Sequence, residues 1–521
     1  MIAIQLAVQA ERRPAATALV YGQRRTSYAE LHARSCRVAR ELAASGIRRG
    51  DRVALLAHNC PQFFELMFGC AMLGAIFVPI NFRLVSAEIG RILASCSPEL
   101  MIAGESFSST LAPLQDEPGY PAQLLWLDDR PEPAAPAGAS YERWLRAGPA
   151  NEQQPAPAAD TVLMLMFSSG TTGAPKGVIY THAGAYASSS AKIIDFGLSE
   201  RDTTVVFGPL FHAGPLMDLA LPLLLRGGTV VIGASRGFDP RLLLATISEQ
   251  RGTVVPIYPT MLRRLLAARV DPRLDLSCLR LIITGGEAAP LQVIRGTQAL
   301  FPQAEFINNY GSTEGGPVTC FLPAADGVRK IGSVGRAAFG VQIRIDDADG
   351  QPLGPGAVGE IVVRSPFVCA GYWMQPVETA TRIRNGWWRT GDLAWRDDEG
   401  FLWIAGRNSD MVKTGTEVVY PIEVEQAIAG LGDVIEVGVI GVPDSRWGES
   451  LVAYIVTTAD SSLTAEEVID HCRGRLAGYK KPRHVRFVDA LPRGTTSKVD
   501  KRRLREWWEN PPPNLPPAIR G

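Results

Sequence analysis

The chain has 521 residues, more than one hydrophobic core normally organises, so two or more domains are expected. Its 46% hydrophobic and 20% charged residues exclude a disordered chain. The 53 basic residues balance 53 acidic ones, so no overall charge draws the protein to nucleic acid, which is not expected as a partner.

Cysteine usage and hydropathy indicate where the protein works. The eight cysteines are scattered without a C-x-x-C pair, which indicates reduced thiols rather than disulfides or a zinc site. The apolar stretch 66–80 is 15 residues long and falls short of the roughly 20 that a membrane helix needs. We therefore expect a cytoplasmic protein without a transmembrane segment, either a monomer or a homodimer. Contact with a membrane surface stays open.

The first four hundred residues alternate helical patterns with short apolar runs. Ser27 and Glu30 form a predicted capping box ahead of a helix, and Asp239-Pro240 opens another. Predicted buried strands are the runs at 52–56, 161–167, 229–232, 254–257 and 279–283. This alternation predicts an α/β fold.

The pattern changes towards the C-terminus. Short strands and turns after about residue 335 predict a small β subdomain, to about residue 406. From 411 helices and strands alternate again, and Thr464 with Glu467 forms a second predicted capping box. The expected fold class is α/β, with a large N-terminal domain of stacked βαβ-type subdomains plus the small β subdomain, followed by a small α+β C-terminal domain.

Two short motifs imitate functional sites. Residues 233–237 match G-x-S-x-G, but the predicted helix starts only at Pro240, too late for a nucleophile elbow. Residues 354–359 match G-x-G-x-x-G, but an extended EIVVR follows where a dinucleotide-binding helix belongs. Neither motif is assigned a function.

The stretch LMFSSGTTGAPKGV, 165–178, predicts a phosphate-binding loop. A buried strand leads into glycines, hydroxyls and one lysine, which offer backbone N–H groups and a cation to phosphate oxygens. It is not a Walker A loop, because Pro175 and Gly177 occupy positions that need Gly and Ser or Thr. The candidate phosphate-binding residues are Ser168, Ser169, Gly170, Thr171, Thr172, Gly173 and Lys176.

Further motifs follow this loop in order. They are PLFHAG (209–214), GGE (285–287), NNYGSTEGG (308–316), WWRTGDLAW (387–395), GRNSDMVKTGTEVVYPIEVE (406–425) and LPRGTTSKVDKRRLR (491–505). The ordered set, spanning nearly the whole chain, resembles the adenylate-forming superfamily of acyl-CoA synthetases, peptide-synthetase adenylation domains and beetle luciferases. The resemblance implies that ATP and a carboxylic acid form an acyl-adenylate, with release of pyrophosphate.

The resemblance also implies roles for single residues. Lys498 would bridge the acyl carboxylate and the α-phosphate, which Thr313 would contact, and His212 would gate the acyl pocket. Glu314 and Thr172 would hold Mg²⁺, and Asp392 with Arg407 would bind the ribose. Tyr310 would stack on adenine, and the base and acyl pocket would be lined by Gly285, Gly286 and Glu287. Asn309 and Gly311, on either side of Tyr310, would also bind the cofactor. Lys413 and Gly415 would lie by the coenzyme A tunnel.

In such enzymes a small C-terminal domain rotates between two half-reactions. The implied division is a domain at 1–406, a hinge at 407–410 and a mobile domain at 411–521. Ser409, Thr416 and Ser497 depart from the residues usual at the hinge, in a glycine pair and before the catalytic lysine.

The favoured function is an ATP-dependent acid–CoA ligase. The predicted acyl-pocket segments HAGPLM (212–217) and GGPVT (315–319) supply no Arg or Lys, which favours an apolar monocarboxylic acid, a fatty acid first. The alternatives are an aryl or alicyclic acid, or transfer of the acyl group to a carrier-protein thiol. A P-loop phosphotransferase and a catalytically retired binding protein are disfavoured, by the failed Walker positions and by the retained charged residues.

Overall fold

The computed structural model describes residues 1–127, 139–146, 157–169, 175–235, 237–286, 291–407, 410–414, 417–494 and 498–520. The chain divides into two compact units. The first contains Met1–Ile331, Gly335–Ile343 and Val363–Trp388. The second contains Gly332–Val334, Arg344–Val362 and Arg389–Gly521.

Two large sheets organise the first unit. One has seven strands in the order Ala139–Ser140, Gln123–Leu127, Leu100–Gly104, Arg52–Leu56, Ile76–Pro79, Val162–Ser169 and Pro175–Thr181. The other has nine, in the order Arg336–Ala337, Gly316–Leu322, Glu305–Ser312, Leu281–Gly285, Val254–Pro256, Thr203–Val206, Thr229–Ile232, Thr17–Tyr21 and Arg24–Ser27. Central strands pair in parallel, and three of the four sheet edges are antiparallel pairs, while the edge strand Ala139–Ser140 pairs in parallel. The predicted buried strands are confirmed.

Helices cover the faces of both sheets, as parallel strands require. The α-helices described in this unit are Ile2–Arg12, Tyr28–Ala44, Gln62–Leu73, Ser86–Cys96, Ser108–Leu111, Tyr141–Trp144, His182–Asp195, Leu221–Arg226, Pro240–Gln250, Pro259–Leu266, Leu291–Leu300 and Pro376–Arg382. Pro215–Ala220 is π-helical, and Glu105–Phe107, Ala112–Leu114 and Ala324–Asp326 are 3-10 turns. The largest core contains residues from both sheets, and helix Gln62–Leu73 is buried within it on nearly every side.

Local sequence chemistry explains where several helices begin. Ser27 Oγ accepts from the Glu30 N–H at 3.2 Å, and the Glu30 carboxylate accepts from the Ser27 N–H at 2.7 Å. The predicted capping box is therefore confirmed, and the helix it opens runs from Tyr28 to Ala44. Asp239 caps helix Pro240–Gln250, which places Ser235 well before a helix and confirms that 233–237 is no nucleophile elbow.

A five-stranded sheet follows, built from Gln342–Asp346, Gly359–Arg364, Trp387–Arg396, Ile383–Arg384 and Leu402–Arg407. The strand Gly359–Arg364 directly follows the G-x-G-x-x-G match, so that match is a turn before a strand, as expected. The short strands predicted after residue 335 are thus present.

The C-terminal part of the second unit is a separate α+β layer. Its sheet joins Glu417–Val419, Val412–Thr414, Gly448–Thr457, His484–Phe487 and Ile519–Arg520, and Val434–Asp444 pairs with Gly448–Thr457. Helices Pro421–Ile428 and Ala465–Arg473 pack on one core, while Lys501–Glu509 packs on another. A 3-10 turn spans Gly478–Lys480. Both hydrogen bonds of the Thr464–Glu467 capping box are present.

Within the described ranges, no helix combines the length and the hydropathy that a membrane crossing requires.

Candidate functional site

The predicted phosphate loop joins the last two strands of the seven-stranded sheet, Val162–Ser169 and the edge strand Pro175–Thr181. Ser168 lies opposite Lys176 in the antiparallel pairing of Val162–Ser169 with Pro175–Thr181. Gly170, Thr171, Thr172 and Gly173 fall outside the described residues, as does the side chain of Ser169. The described part of this prediction therefore consists of a hairpin that carries a serine and a lysine at its end.

Glu314 lies in the turn between strands Glu305–Ser312 and Gly316–Leu322. Gly311 permits this tight turn, since a Cβ there would lie 2.3 Å from the backbone oxygen of Pro317. The Glu314 carboxylate accepts hydrogen bonds from Ser168 Oγ and from the Tyr372 hydroxyl, both at 3.2 Å. The loop motif and the TEGG motif, far apart in sequence, therefore meet at one carboxylate.

Lys176 is buried, with 8% of its surface exposed. Its ammonium lies 2.6 Å from the Glu378 carboxylate and 5.2 Å from the centre of the Tyr372 ring. The hydrogen bond from Lys176 lowers the pKa of Glu378, and burial raises that of Tyr372. A phosphate that uses Lys176 must therefore compete with Glu378 for its charge.

The strand Glu305–Ser312 and the turn after it present the remaining residues of the NNYGSTE motif. The Thr313 carbonyl accepts a hydrogen bond from the Tyr180 hydroxyl, which is held neutral because burial raises its pKa far above the usual range. Asn309 is buried next to Gly285, where a Cβ would lie only 1.7 Å from Asn309 Oδ1. Tyr310 follows it at an intermediate exposure. Gly286 adopts a φ of +83°, and Glu287 lies outside the described residues.

His212 follows strand Thr203–Val206 and precedes the π-helical segment Pro215–Ala220. Its ring lies 4.3 Å from the Phe211 ring, and Phe211 in turn contacts Phe82 edge to face at 5.0 Å. The His212 carbonyl accepts from the Leu216 N–H, which ties the motif to the start of that segment. These contacts place His212 in an aromatic environment.

In the second unit, Asp392 and Arg407 are direct neighbours across two antiparallel strands. Arg407 Nε donates to Asp392 Oδ1 at 3.1 Å, and the Asp392 N–H donates to Thr390 Oγ1 at 3.0 Å. Two residues that the motifs placed 15 positions apart are therefore one ion pair.

Lys413 and Lys498 are both exposed in the second unit. The Lys413 N–H donates to Glu449, and the Lys498 carbonyl accepts from the Gly494 N–H at 2.9 Å, just before helix Lys501–Glu509. Gly415, Ser409, Thr416 and Ser497 lie outside the described residues.

Three side chains at this site were missed by sequence reasoning: Tyr180, Tyr372 and Glu378. Tyr372 is 58 positions from Glu314, and Glu378 is 202 positions from Lys176. No local pattern marks such contacts. The adjacent aromatic residues in the AGYW segment at 370–373 are the one signal in the sequence that could have drawn attention to Tyr372.

Comparison with known proteins identifies the class. A model of the AMP-binding enzyme family matches residues 6–373, and a model of the AMP-binding enzyme C-terminal domain matches residues 423–498. The chain therefore belongs to the AMP-binding enzyme family, and the resemblance to adenylate-forming enzymes is confirmed.

Individual relatives indicate which branch of the family the chain resembles. The chain is 37% identical over 499 residues to the feruloyl-CoA synthase of an Amycolatopsis species, covering 95% of this chain and 97% of that one. It is 34% identical over 485 residues to the long-chain-fatty-acid–CoA ligase FadD13 of Mycobacterium tuberculosis, covering 92% and 93%. The crystal structure of the anthranilate CoA ligase AuaEII in complex with anthranoyl-AMP superposes with a TM-score of 0.90 at 26% identity, covering 98% of this chain and 97% of that one.

The fold class is confirmed by that superposition, and the chain is an enzyme of the acid–CoA ligase branch. This family uses ATP and coenzyme A. Among the described residues, there is no cluster of three or more His, Cys, Asp or Glu side chains that could hold a metal ion.

Proposed function

We propose that this protein activates an apolar monocarboxylic acid as its acyl-adenylate and then transfers the acyl group to coenzyme A. One observation carries the proposal: hydrogen bonds connect the loop hairpin to the TEGG turn. The Glu314 carboxylate accepts from Ser168 and Tyr372, and the Lys176 ammonium lies over the Tyr372 ring. An acid oxygen would attack the α-phosphorus of ATP as the bond to the β-phosphate breaks and pyrophosphate leaves. The thiol of coenzyme A would then attack the acyl carbonyl, and AMP would leave.

The roles proposed within the first unit follow from charge and position. The loop 168–176 would hold the β- and γ-phosphates, with Lys176 turning from Glu378 to the phosphate. Thr313 would contact the α-phosphate, and Tyr310 would stack on adenine. Gly285 and Gly286 are proposed to line the base and acyl pocket, where the exposed Gly286 leaves its backbone accessible to a flat ligand.

A magnesium ion fits this donor set. Mg²⁺ prefers oxygen ligands and commonly takes one or two carboxylates together with substrate phosphates, so a site needs few protein ligands. Glu314, held by two hydroxyl donors, would be one ligand, and Thr172 is proposed as the other. When bound, the ion would neutralise phosphate charge.

In the second unit, Asp392 would accept hydrogen bonds from both ribose hydroxyls, and Arg407 would orient that carboxylate. Lys498 would neutralise charge between the acid and the α-phosphate during adenylation. Lys413 and Gly415 are proposed to lie along the coenzyme A tunnel. The division at 1–406, 407–410 and 411–521 remains a proposal, as do a cytoplasmic location and a monomeric or homodimeric state.

The proposal also specifies the chemical class of the acid. The apolar segments 212–217 and 315–319 support a monoacid over a dicarboxylate. The relatives' names include both a fatty acid and aryl acids, so they support the aryl alternative at least as well as the predicted fatty acid.

The test incubates the protein with Mg-ATP and a panel of fatty, alicyclic and aryl acids, with and without coenzyme A. Products are identified by mass spectrometry. Acid-dependent AMP together with an acyl-CoA thioester is expected. Acyl-AMP without any thioester would redirect the proposal to a carrier-protein acceptor, and no acid-dependent AMP from a broad panel would refute adenylation.

A further inference from the structure

A buried pair of opposite charges lies where the segment after the PLFHAG motif packs on a helix. Helix His182–Asp195 contacts the π-helical segment Pro215–Ala220 and brings Lys192 towards Asp218. These side chains belong to residues only 2% and 3% exposed. Burial lowers the pKa of Lys192 and raises that of Asp218, while each charge favours the other. Such a pair in a core is costly unless its polar atoms are satisfied.

The pair borders the predicted acyl and adenylate site. The Asn309 side chain lies beside Asp218 and favours its charged form. A Cβ placed on Gly214 would lie 2.6 Å from Tyr258 Oη and 3.5 Å from Asp218 Oδ2. A carboxylate and a phenol therefore converge beside a glycine two residues after His212, where any side chain would collide with the phenol oxygen.

Two polar atoms of this cluster have unused hydrogen-bonding capacity. Asp218 Oδ1 and Tyr258 Oη are both buried, and neither has a hydrogen-bond partner among the described residues. Lys192 Nζ donates to Ser188 Oγ at 2.6 Å, so the ammonium is anchored in its own helix. The cluster thus presents one free acceptor and one hydroxyl that can donate or accept.

Charge decides which ligand group fits. Lys192 already offsets Asp218, so a ligand ammonium would add an uncompensated buried charge. A ligand carboxylate would face the carboxylate of Asp218. A neutral hydroxyl matches both atoms, because it can donate to Asp218 Oδ1 and accept from Tyr258.

We propose that Asp218 and Tyr258 form a specificity subsite for a hydroxyl carried on the apolar skeleton of the acid, away from its carboxylate. The inference rests on the proposed acid–CoA ligase function and names its substrate class as hydroxylated acids. A site built around a hydroxyl disfavours the analogue that lacks it, because buried polar groups are then left unpaired.

The test compares matched pairs of acids, such as 4-hydroxycinnamate with cinnamate and ω-hydroxy fatty acids with their parents. In at least one pair, kcat/KM for the hydroxylated acid should exceed that of its parent by about tenfold or more. The methyl ether of the preferred acid cannot donate to Asp218 and should lose most of this advantage. Equal values within every pair, or an ether as good as the hydroxyl, would overturn the subsite.

Tyr258→Phe removes one oxygen and keeps the ring. It should lower kcat/KM about tenfold for the hydroxylated acid and much less for the parent, so the ratio falls. Tyr120→Phe, a tyrosine of the same unit outside the site, should leave the ratio at the wild-type value. Equal losses on both acids would show a structural role and refute the assignment. If no acid gives AMP at all, the proposed function fails instead, and the two failures are distinguishable.

Discussion

Asp392 and Arg407 illustrate how two residues from separate motifs become one ion pair. Their strands pair antiparallel, and the guanidinium fixes the orientation of the carboxylate. The side chain of Arg407 is 55% exposed, so the ion pair itself contributes little stability, about 0–1 kcal/mol. Its expected value lies in binding the ribose.

Asp392→Asn should raise the KM for ATP about 10- to 100-fold, because a charge-assisted hydrogen bond contributes about 1.5–3 kcal/mol. The midpoint of thermal unfolding should change little. Asp470→Asn, which alters an exposed ion pair with Arg473 in the same unit, is the matched control and should leave KM unchanged. Steady-state kinetics with varied ATP measure both, and an unaltered KM in Asp392→Asn would contradict the ribose assignment.

His182 is a second residue with a measurable consequence. It is fully buried, and both ring nitrogens lack a hydrogen-bond partner among the described residues. Burial lowers its pKa to about 4, with the N-terminus and Arg49 acting in the same direction. The folded state therefore holds a neutral imidazole over a range in which the unfolded chain takes up a proton.

The resulting pH dependence has a definite sign. Below about pH 6.5 the His182 side chain is protonated in the unfolded state but not in the folded state. The free energy of unfolding therefore falls with pH down to about pH 4, by at most about 3 kcal/mol. His182→Leu removes this proton uptake and should show a shallower loss of thermal midpoint between pH 7 and pH 4.5. Parallel curves for the two proteins would show that His182 does not carry the effect.

At the scale of elements, both units use the same device to start a helix. Ser27 caps Tyr28–Ala44 in the first unit, and Thr464 caps Ala465–Arg473 in the second. In each box a hydroxyl and a glutamate satisfy N–H groups that the helix itself leaves unpaired.

Ser27→Ala and Thr464→Ala should each destabilise the folded protein by about 1 kcal/mol. Amide exchange should accelerate at Glu30 in the first variant and at Glu467 in the second, since these N–H groups lose their acceptors. Each variant is the control for the other. Exchange that rises equally at both helices in either variant would contradict a local capping effect.

At the scale of the molecule, the proposed chemistry draws on both units. Ser168, Lys176 and Glu314 belong to the first, whereas Asp392, Arg407 and Lys498 belong to the second. Having the proposed residues on two units is compatible with an enzyme that catalyses two half-reactions. Residues of one unit can then take part in one half-reaction and be dispensable in the other.

Lys498→Ala should reduce acyl-adenylate formation from acid and ATP by about 100-fold or more, since it removes charge stabilisation at the α-phosphate. Thioester formation from a supplied acyl-adenylate and coenzyme A should be retained. Lys501 lies three residues after Lys498, and Lys501→Ala, which loses an ion pair with Glu425, should leave adenylation near the wild-type rate. Equal loss of both half-reactions in Lys498→Ala would contradict a role specific to adenylation.

The sequence by itself determined the fold class, the buried strands, the capping boxes and the family. These features depend on local periodicity, on side-chain chemistry a few residues apart, and on motifs in a set order, all of which are properties of a linear chain. The loop motif at 165–178 and its mismatch with a Walker A sequence belong here too.

Only the tertiary structure decided which side chains meet. Tyr372 donates to Glu314, Glu378 pairs with Lys176, and Lys192 lies near enough to Asp218 for their charges to interact, from a helix outside the acyl-pocket segments. The local segments do supply no Lys or Arg, but a neighbouring helix supplies one. Parallel strands and their covering helices bring together residues that lie far apart in the chain, and no local pattern encodes such distances. The polar subsite beside Gly214 therefore became visible only once the chain was folded.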